Sequence, residues 1–283
     1  MKIAETVSEL RHLTDIARKS GKKIGFVPTM GALHEGHISL VKKAKRQNPV
    51  VVVSIFVNPT QFNDKKDLEK YPRTLEADSK LLAPAGADIL FFPSVSEVYP
   101  DGQDKGADID LGGLDKHMEG AFRPGHFKGM AQVVKRLLDI VTPDRLYMGQ
   151  KDFQQFTIVA HMIRSLGINT QLVVCPIKRE HNGLAMSSRN ERLSAETRGK
   201  AGIINRVMKA VKRDMYSKQV ADLEKYAMKR LTVAPFEPEY FSIVDGYTLN
   251  PVTDMDKTPY VVACVAVWAD GVRLIDNMIL RKE

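Results

Sequence analysis

The residues best suited to chemistry in this chain form a Gly- and His-rich turn, Pro28-Thr29-Met30-Gly31-Ala32-Leu33-His34-Glu35-Gly36-His37. Gly31 and Gly36 have the G-x-x-x-x-G spacing of a phosphate-cradling P-loop, but His37 and Ile38 stand where that loop needs its Lys and its Mg2+-binding Ser/Thr. The usual apparatus for transferring a γ-phosphate is therefore missing, and a different phosphate chemistry is indicated. His34 and His37 lie three apart at what should be a helix start and would project from one side. A zinc pair is the rival reading, yet a helix N-terminus favours anions over dications and nothing nearby completes a ligand set. Phosphate binding is the better expectation.

Three further segments carry comparable side chains: Asn58-Pro59-Thr60-Gln61-Phe62, Gly149-Gln150-Lys151-Asp152, and Lys178 through Arg189 with its Met186-Ser187-Ser188-Arg189. Each alone is weak, since a Ser-Ser-Arg triplet is usually a turn and a Lys-Asp pair a surface ion pair of little energy. What they share is position. Each follows an apolar, strand-like run, and in open α/β sheets ligands bind outside the carboxyl ends of the strands.

The positioning elements follow from periodicity. Thr6-Val7-Ser8-Glu9 reads as a capping box, with Leu10, Leu13, Ile16 and Ala17 on one helical stripe and a stop at Gly21. Ile24 to Val27, Val50 to Val57, Ile89 to Phe92, Leu146 to Met148 and Leu172 to Cys175 read as strands buried on both faces. Helical patterns fall between them, at Gly36 to Ala44, Leu75 to Leu82, Met130 to Val141 and Phe153 to Leu166. Such alternation predicts an α/β fold with a doubly wound parallel sheet. After Glu180 two helical stretches, Ser194 to Met215 and Val220 to Leu231, precede strands at Tyr240 to Val244, Tyr260 to Trp268 and Val272 to Leu280, with a turn at Asp270-Gly271. A second, smaller α+β domain is expected, with residues 1–180 and 181–283 as the two units and the boundary within Pro176 to Ser188.

Composition narrows the function classes. A chain of 283 residues, 43% hydrophobic and 27% charged, is ordinary globular material for about two domains, without repeats or low-complexity tracts. The longest apolar run, Val50 to Val57, is far short of the ~20 residues of a membrane-spanning helix, and the acid at Glu5 interrupts any apolar leader. Cys175 and Cys264 sit apart in apolar segments as reduced thiols would, so a cytoplasmic location is expected. The net charge of +8 admits nucleic acid, an anionic small substrate or simply a soluble surface. The densest basic stretch, Lys42 to Arg46, alternates with apolar residues at helical spacing and has no interleaved aromatic, as a solvated helix face would.

Six blocks taken together resemble one family. They are Pro28 through His37, Phe56-Val57-Asn58-Pro59-Thr60-Gln61-Phe62, Tyr71-Pro72-Arg73-Thr74-Leu75, Arg123-Pro124-Gly125-His126-Phe127, Lys151-Asp152-Phe153-Gln154-Gln155 and Gly183 through Asn190. Their order and spacing over residues 24–190 closely resemble the pantothenate synthetase (pantoate/β-alanine ligase) family. The resemblance implies a Rossmann-like domain of the HxGH nucleotidyltransferase type, a homodimer, and ATP-dependent joining of (R)-pantoate to β-alanine through a pantoyl-adenylate, with Mg2+ as cofactor. It also implies roles by position. Met30, Gly31, Ala32, Leu33, His34, Glu35, Gly36, His37, Gly149, Gln150, Lys151, Asp152, Lys178, Met186, Ser187, Ser188 and Arg189 would contact ATP. Gln61 and Gln155, with Pro28, Thr29 and Met30, would hold pantoate, Asp78 would help hold Mg2+, and His37, His34, Lys151 and Arg189 would be catalytic, His37 as proton donor. Gln150 departs from the pattern, standing where the family has Glu. Two other readings stay open on the residues alone: a nucleotidyltransferase that leaves the nucleotide on its acceptor, and an RNA-binding relative of the class I tRNA synthetases.

Overall fold

A computed structural model describes residues 1–61, 68–69, 71–102 and 109–283; Phe62 of the second block lies outside them. The first unit is a six-stranded, all-parallel sheet: β1 (Lys2–Ala4), β2 (Ile24–Thr29), β3 (Val50–Ile55), β4 (Ile89–Phe91), β5 (Arg145–Gly149) and β6 (Gln171–Cys175). Their spatial order is β1-β4-β3-β2-β5-β6, so the order reverses between β2 and β5. Helices α1 (Val7–Lys19), α2 (Glu35–Gln47), α3 (Leu75–Ala85), α4 (Val95–Val98), α5 (Glu119–Phe122), α6 (His126–Val141) and α7 (Phe153–Ser165) connect and cover it. The expected capping box of α1 is present, with Thr6 and Glu9 exchanging side-chain and backbone bonds. β1 escaped the sequence reading because three residues with only Ala4 buried leave no periodic signal.

β2 runs one residue past Pro28, to Thr29, and the reason bears on the site. All six of its residues pair with β3, but only Gly25 and Phe26 pair with β5. Beyond Phe26 the two strands part, so the missing N–H of Pro28 falls where no β5 partner remains. A crevice opens there.

The second unit pairs α8 (Ala195–Lys200), α9 (Ile203–Asp214) and α10 (Val220–Leu231) with an antiparallel sheet of β7 (Glu237–Asp245), β8 (Tyr260–Ala269) and β9 (Val272–Lys282). Asp270 and Gly271 both take positive φ, 51° and 70°, as a tight two-residue hairpin requires. The single helix expected from Ser194 to Met215 is divided at Ala201-Gly202. Two contacts explain the break. The Asn182 side chain donates to the carbonyl of Arg198, at 2.6 Å, and a Cβ at Gly202 would lie 2.1 Å from the Asn182 carbonyl, so only glycine lets the chain pass.

β8 is apolar without alternation because both its faces are covered. Tyr260, Val262 and Cys264 join the core of the first sheet, while Val261, Ala263, Val265 and Val267 pack with α9 and α10. The join is polar at one corner. Arg273 on β9 forms ion pairs with Glu119 of α5 and Glu239 of β7, Tyr240 donates to Glu119 at 2.9 Å, and Trp268 donates to Glu239 at 2.9 Å. Removing one partner from this part-buried cluster leaves the remaining charges short of a counterion, at a cost of roughly 1 to 3 kcal/mol. Arg273→Ala is therefore expected to lower the urea unfolding midpoint far more than Arg273→Lys, which keeps the charge and loses the fork; equal, small shifts in both would refute the clamp.

Candidate active site

The four segments singled out above converge on one cleft of about 650 Å³ at the crevice between β2 and β5. Its lining includes Pro28, Thr29, Met30, His34, Gly36, His37, Gln61, Gly149, Lys151, Asp152, Gln155, Lys178, Met186, Ser187, Ser188 and Arg189. Gly31, Ala32, Leu33, Glu35, Gln150 and Asp78 do not line it.

The turn after β2 is built from short polar bonds. Thr29 Oγ1 donates to the Ser54 carbonyl at 2.7 Å and accepts from Gly31 N–H at 3.2 Å. Gly31 then takes φ +83° and Ala32 φ +49°, the left-handed region in which glycine costs least. Asp78, on α3 and 2% exposed, holds this strained stretch from behind: its carboxylate accepts from Ala32 N–H at 3.0 Å, Leu33 N–H at 2.8 Å and Thr74 Oγ1 at 3.1 Å. Asp78 thus sets the backbone that leads into α2.

His34 caps α2. Its Nδ1 accepts from Gly36 N–H at 3.1 Å, and His37 Nδ1 accepts from His34 N–H at 3.3 Å. The cap ring lies so close over Gly36 that a Cβ there would sit 2.7 Å from it. With both Nδ1 atoms accepting, each neutral ring must carry its proton on Nε2. Burial, then the neighbouring His34 ring 4.1 Å away, pushes the His37 pKa down to about 3. Burial and then Lys151 push His34 down as well. At neutral pH the helix start therefore presents two uncharged N–H donors, and the positive charge comes from elsewhere.

That charge stands on the other walls. Lys151 sits at the end of β5, 3.8 Å from Asp152 Oδ1. Ser187, Ser188 and Arg189 enter from the loop after β6, whose shape is fixed by Met186 N–H donating to the Lys178 carbonyl at 2.9 Å and Asn190 Nδ2 donating to the Ala185 carbonyl at 3.0 Å. Tyr71 reaches the same place, hydrogen-bonded to Ser188, its hydroxyl pKa raised chiefly by burial. At the apolar end of the cleft, Gln61 is held by its carbonyl, which accepts from His126 Nδ1 at 2.9 Å. His126 in turn faces Arg123 at 3.2 Å, and burial, then Arg123, lowers its pKa to about 4.

Tyr71, Asn58, Arg123 and His126 line the cleft, although their motif blocks were visible without pointing to a role. Asp276 and Asn277 of β9 line it too, and nothing in the sequence marked them, because polar residues in a strand read as outward-facing. Among the described residues no helix is long and apolar enough to cross a membrane, and both cysteines are free and buried.

Residues 2–279 match the family described as pantoate-beta-alanine ligase. The pantothenate synthetase of Phocaeicola vulgatus is 50% identical over 280 residues, covering 98% of this chain and 99% of its own. That of Thermotoga petrophila is 46% identical over 284 residues, 99% of this chain and 100% of its own. Among solved structures, pantothenate synthetase from Thermus thermophilus superposes with a TM-score of 0.91 at 43% identity, covering 99% of this chain and 100% of that one. The Francisella tularensis pantoate-beta-alanine ligase, solved in complex with beta-gamma ATP and β-alanine, gives 0.79 at 38% identity, covering 99% of this chain and 98% of that one.

The lowered pKa of His37 makes a stability statement. Its folded value, about 3, lies below the ~6.5 of an unfolded histidine, so the unfolded chain binds the extra proton between those limits. The contribution is present above about pH 6.5 and is lost as pH falls toward 3. The urea midpoint is expected to fall between pH 7 and pH 5, less steeply in His37→Gln; identical slopes would show that the ring is not held neutral.

Proposed function

The chain belongs to the pantoate-β-alanine ligase family and is an ATP-dependent ligase of pantothenate biosynthesis; from that premise we propose how this cleft divides the work. The observation that carries the reading is the pair of neutral Nε2–H donors on His34 and His37, at a helix N-terminus, in one cleft with Lys151, Ser187, Ser188 and Arg189. Donors and charges so arranged suit a phosphate chain.

Pantoate's carboxylate is ionised at pH 7 and needs no base to attack the α-phosphorus. The new oxygen–phosphorus bond forms as the bond to pyrophosphate breaks, giving pantoyl-adenylate. Charge grows on the leaving oxygens, and Lys151, Arg189 and the two imidazole N–H groups meet it there, with His37 donating. The β-alanine amine then attacks the acyl carbon and AMP departs. Gln61 and Gln155, each able to donate and accept, pair with pantoate's hydroxyls and carboxylate beside Pro28, Thr29 and Met30.

Mg2+ would come with ATP, held by phosphate oxygens and water, and would neutralise the departing pyrophosphate. Asp78 would act through water, since it lies behind the cleft lining and its carboxylate already accepts from two backbone N–H groups and Thr74. Residues 1–180 would be the nucleotide- and pantoate-binding unit and 181–283 a lid that keeps water from the adenylate. A homodimer is supported by β6, an edge strand bearing Leu172, Val173 and the 39%-exposed Val174, which a second copy could cover. Reduced cysteines support a cytoplasmic setting.

Labelled pyrophosphate should enter ATP when pantoate is present and β-alanine withheld; exchange without pantoate, or release of ADP and phosphate on adding β-alanine, would overturn the adenylate route. His37→Ala is expected to slow that exchange by about 10²-fold, the scale of losing one preorganised donor. Gln61→Leu and Gln155→Leu should each weaken pantoate binding by roughly 1 to 3 kcal/mol while calorimetric ATP affinity holds. A parallel loss of ATP binding would misplace the pantoate end.

A further inference from the structure

Asn277 lies in β9 of the second sheet, opposite Cys264 in the β8 ladder, and is 2% exposed. Its side chain is not needed for that ladder. Instead, Nδ2 donates to the carbonyls of Gln150, at 2.9 Å, and Lys151, at 2.8 Å, across 127 and 126 residues of chain. Gln150 Nε2 donates back to Asn277 Oδ1 at 3.1 Å, which fixes which way the Asn amide faces. The neighbouring residue works on the other nucleotide segment. Asp276, 4% exposed, takes both arms of Arg179 at 2.6 and 3.0 Å, and Arg179 also donates to the Gly183 carbonyl at 3.0 Å, within the loop that carries Ser187 to Arg189. One dipeptide thus holds two segments that arrive from different strand ends.

We propose that Asn277 is a positioning residue for the ligase reaction: it sets the backbone of Gln150-Lys151, and so the place of the Lys151 ammonium against the phosphate chain. The role of Gln150 follows. Its side chain does not line the cleft but locks the Asn277 amide, a task that a carboxylate at position 150 cannot perform without facing the Asn277 oxygen. Deleting the Asn amide takes this donor from two part-buried carbonyls, and the Lys151 segment relaxes.

This inference rests on the reading of Gly149 to Asp152 as a nucleotide segment, and the measurements separate the two. Asn277→Ala is compared with wild type for ATP affinity by calorimetry and for pantoate-dependent pyrophosphate exchange. The expected result is ATP affinity and exchange rate each reduced about tenfold, with the KM values of pantoate and β-alanine within twofold. Asn277→Asp, which keeps the volume if the alanine variant does not fold, should show an ATP deficit relative to wild type that shrinks from pH 8.5 to 6, because a buried carboxyl protonates and regains one donor. A folded Asn277→Ala that matches wild type in both measurements, a loss confined to the active fraction with every KM unchanged, or a pH-independent Asn277→Asp deficit would overturn the proposal. Wild-type protein that binds ATP but shows no pantoate-dependent exchange overturns the adenylate reading instead, and the calorimetric comparison still decides the role of Asn277.

Discussion

The structure depends on the parting of β2 and β5. Two parallel strands in a doubly wound sheet would ordinarily share a full ladder, but here they share only the pairs at Gly25 and Phe26. Everything chemical hangs on the backbone released by that early parting. β2 continues on β3 alone to Thr29, the Asp78 carboxylate catches the next amides, and α2 begins with its donors turned into the opening. Across the gap β5 delivers Lys151. A longer β2–β5 ladder would close the cleft and leave Pro28 with a partner it cannot satisfy.

The same crevice explains why its histidines are neutral. A buried imidazolium beside Lys151 would meet both desolvation and like charge, and both act to keep the proton off. The proposed division of labour follows: Lys151 and Arg189 would carry the formal charge, while His34 and His37 would supply N–H groups whose orientation is set by the cap bonds of α2. A phosphate chain entering this space brings its own negative charge, which favours the protonated ring. Under the proposed reading, His37 would serve as a proton donor only with that chain bound.

How far the sequence disclosed this arrangement varied with the kind of signal. Continuous β-branched runs such as Val50 to Ile55, and the Met130 to Val141 stripe, are dictated by burial and were legible as such. The division of the helix after Ser194 was not, because it arises from a close approach of Asn182, some twenty residues earlier in sequence. The histidine pair and the Ser187 to Arg189 loop could be read from residue type and spacing. Asp78 was marked only by the family resemblance, as a residue beside Mg2+, and its bonds to Ala32 and Leu33 depend on a tertiary contact between α3 and the turn. Asp276 and Asn277 gave no signal at all, since two polar residues in a strand look like a solvated edge until the partner segments are in place.

The joint between the two units bears on how the site can move. β8 contributes one face to each of two hydrophobic clusters, so the two sheets on either side of the expected boundary share a core. β9 adds Asn277 on the Gln150-Lys151 backbone and Asp276 on Arg179, while Arg273 reaches Glu119 at the cleft's far wall. A lid hinged freely at the connecting loop would have to break all of these buried polar contacts at once. Closure is cheaper if β9 carries its attached segments with it. The second unit, proposed above as a lid, would then move together with the Gln150-Lys151 and Arg179 segments that β9 holds.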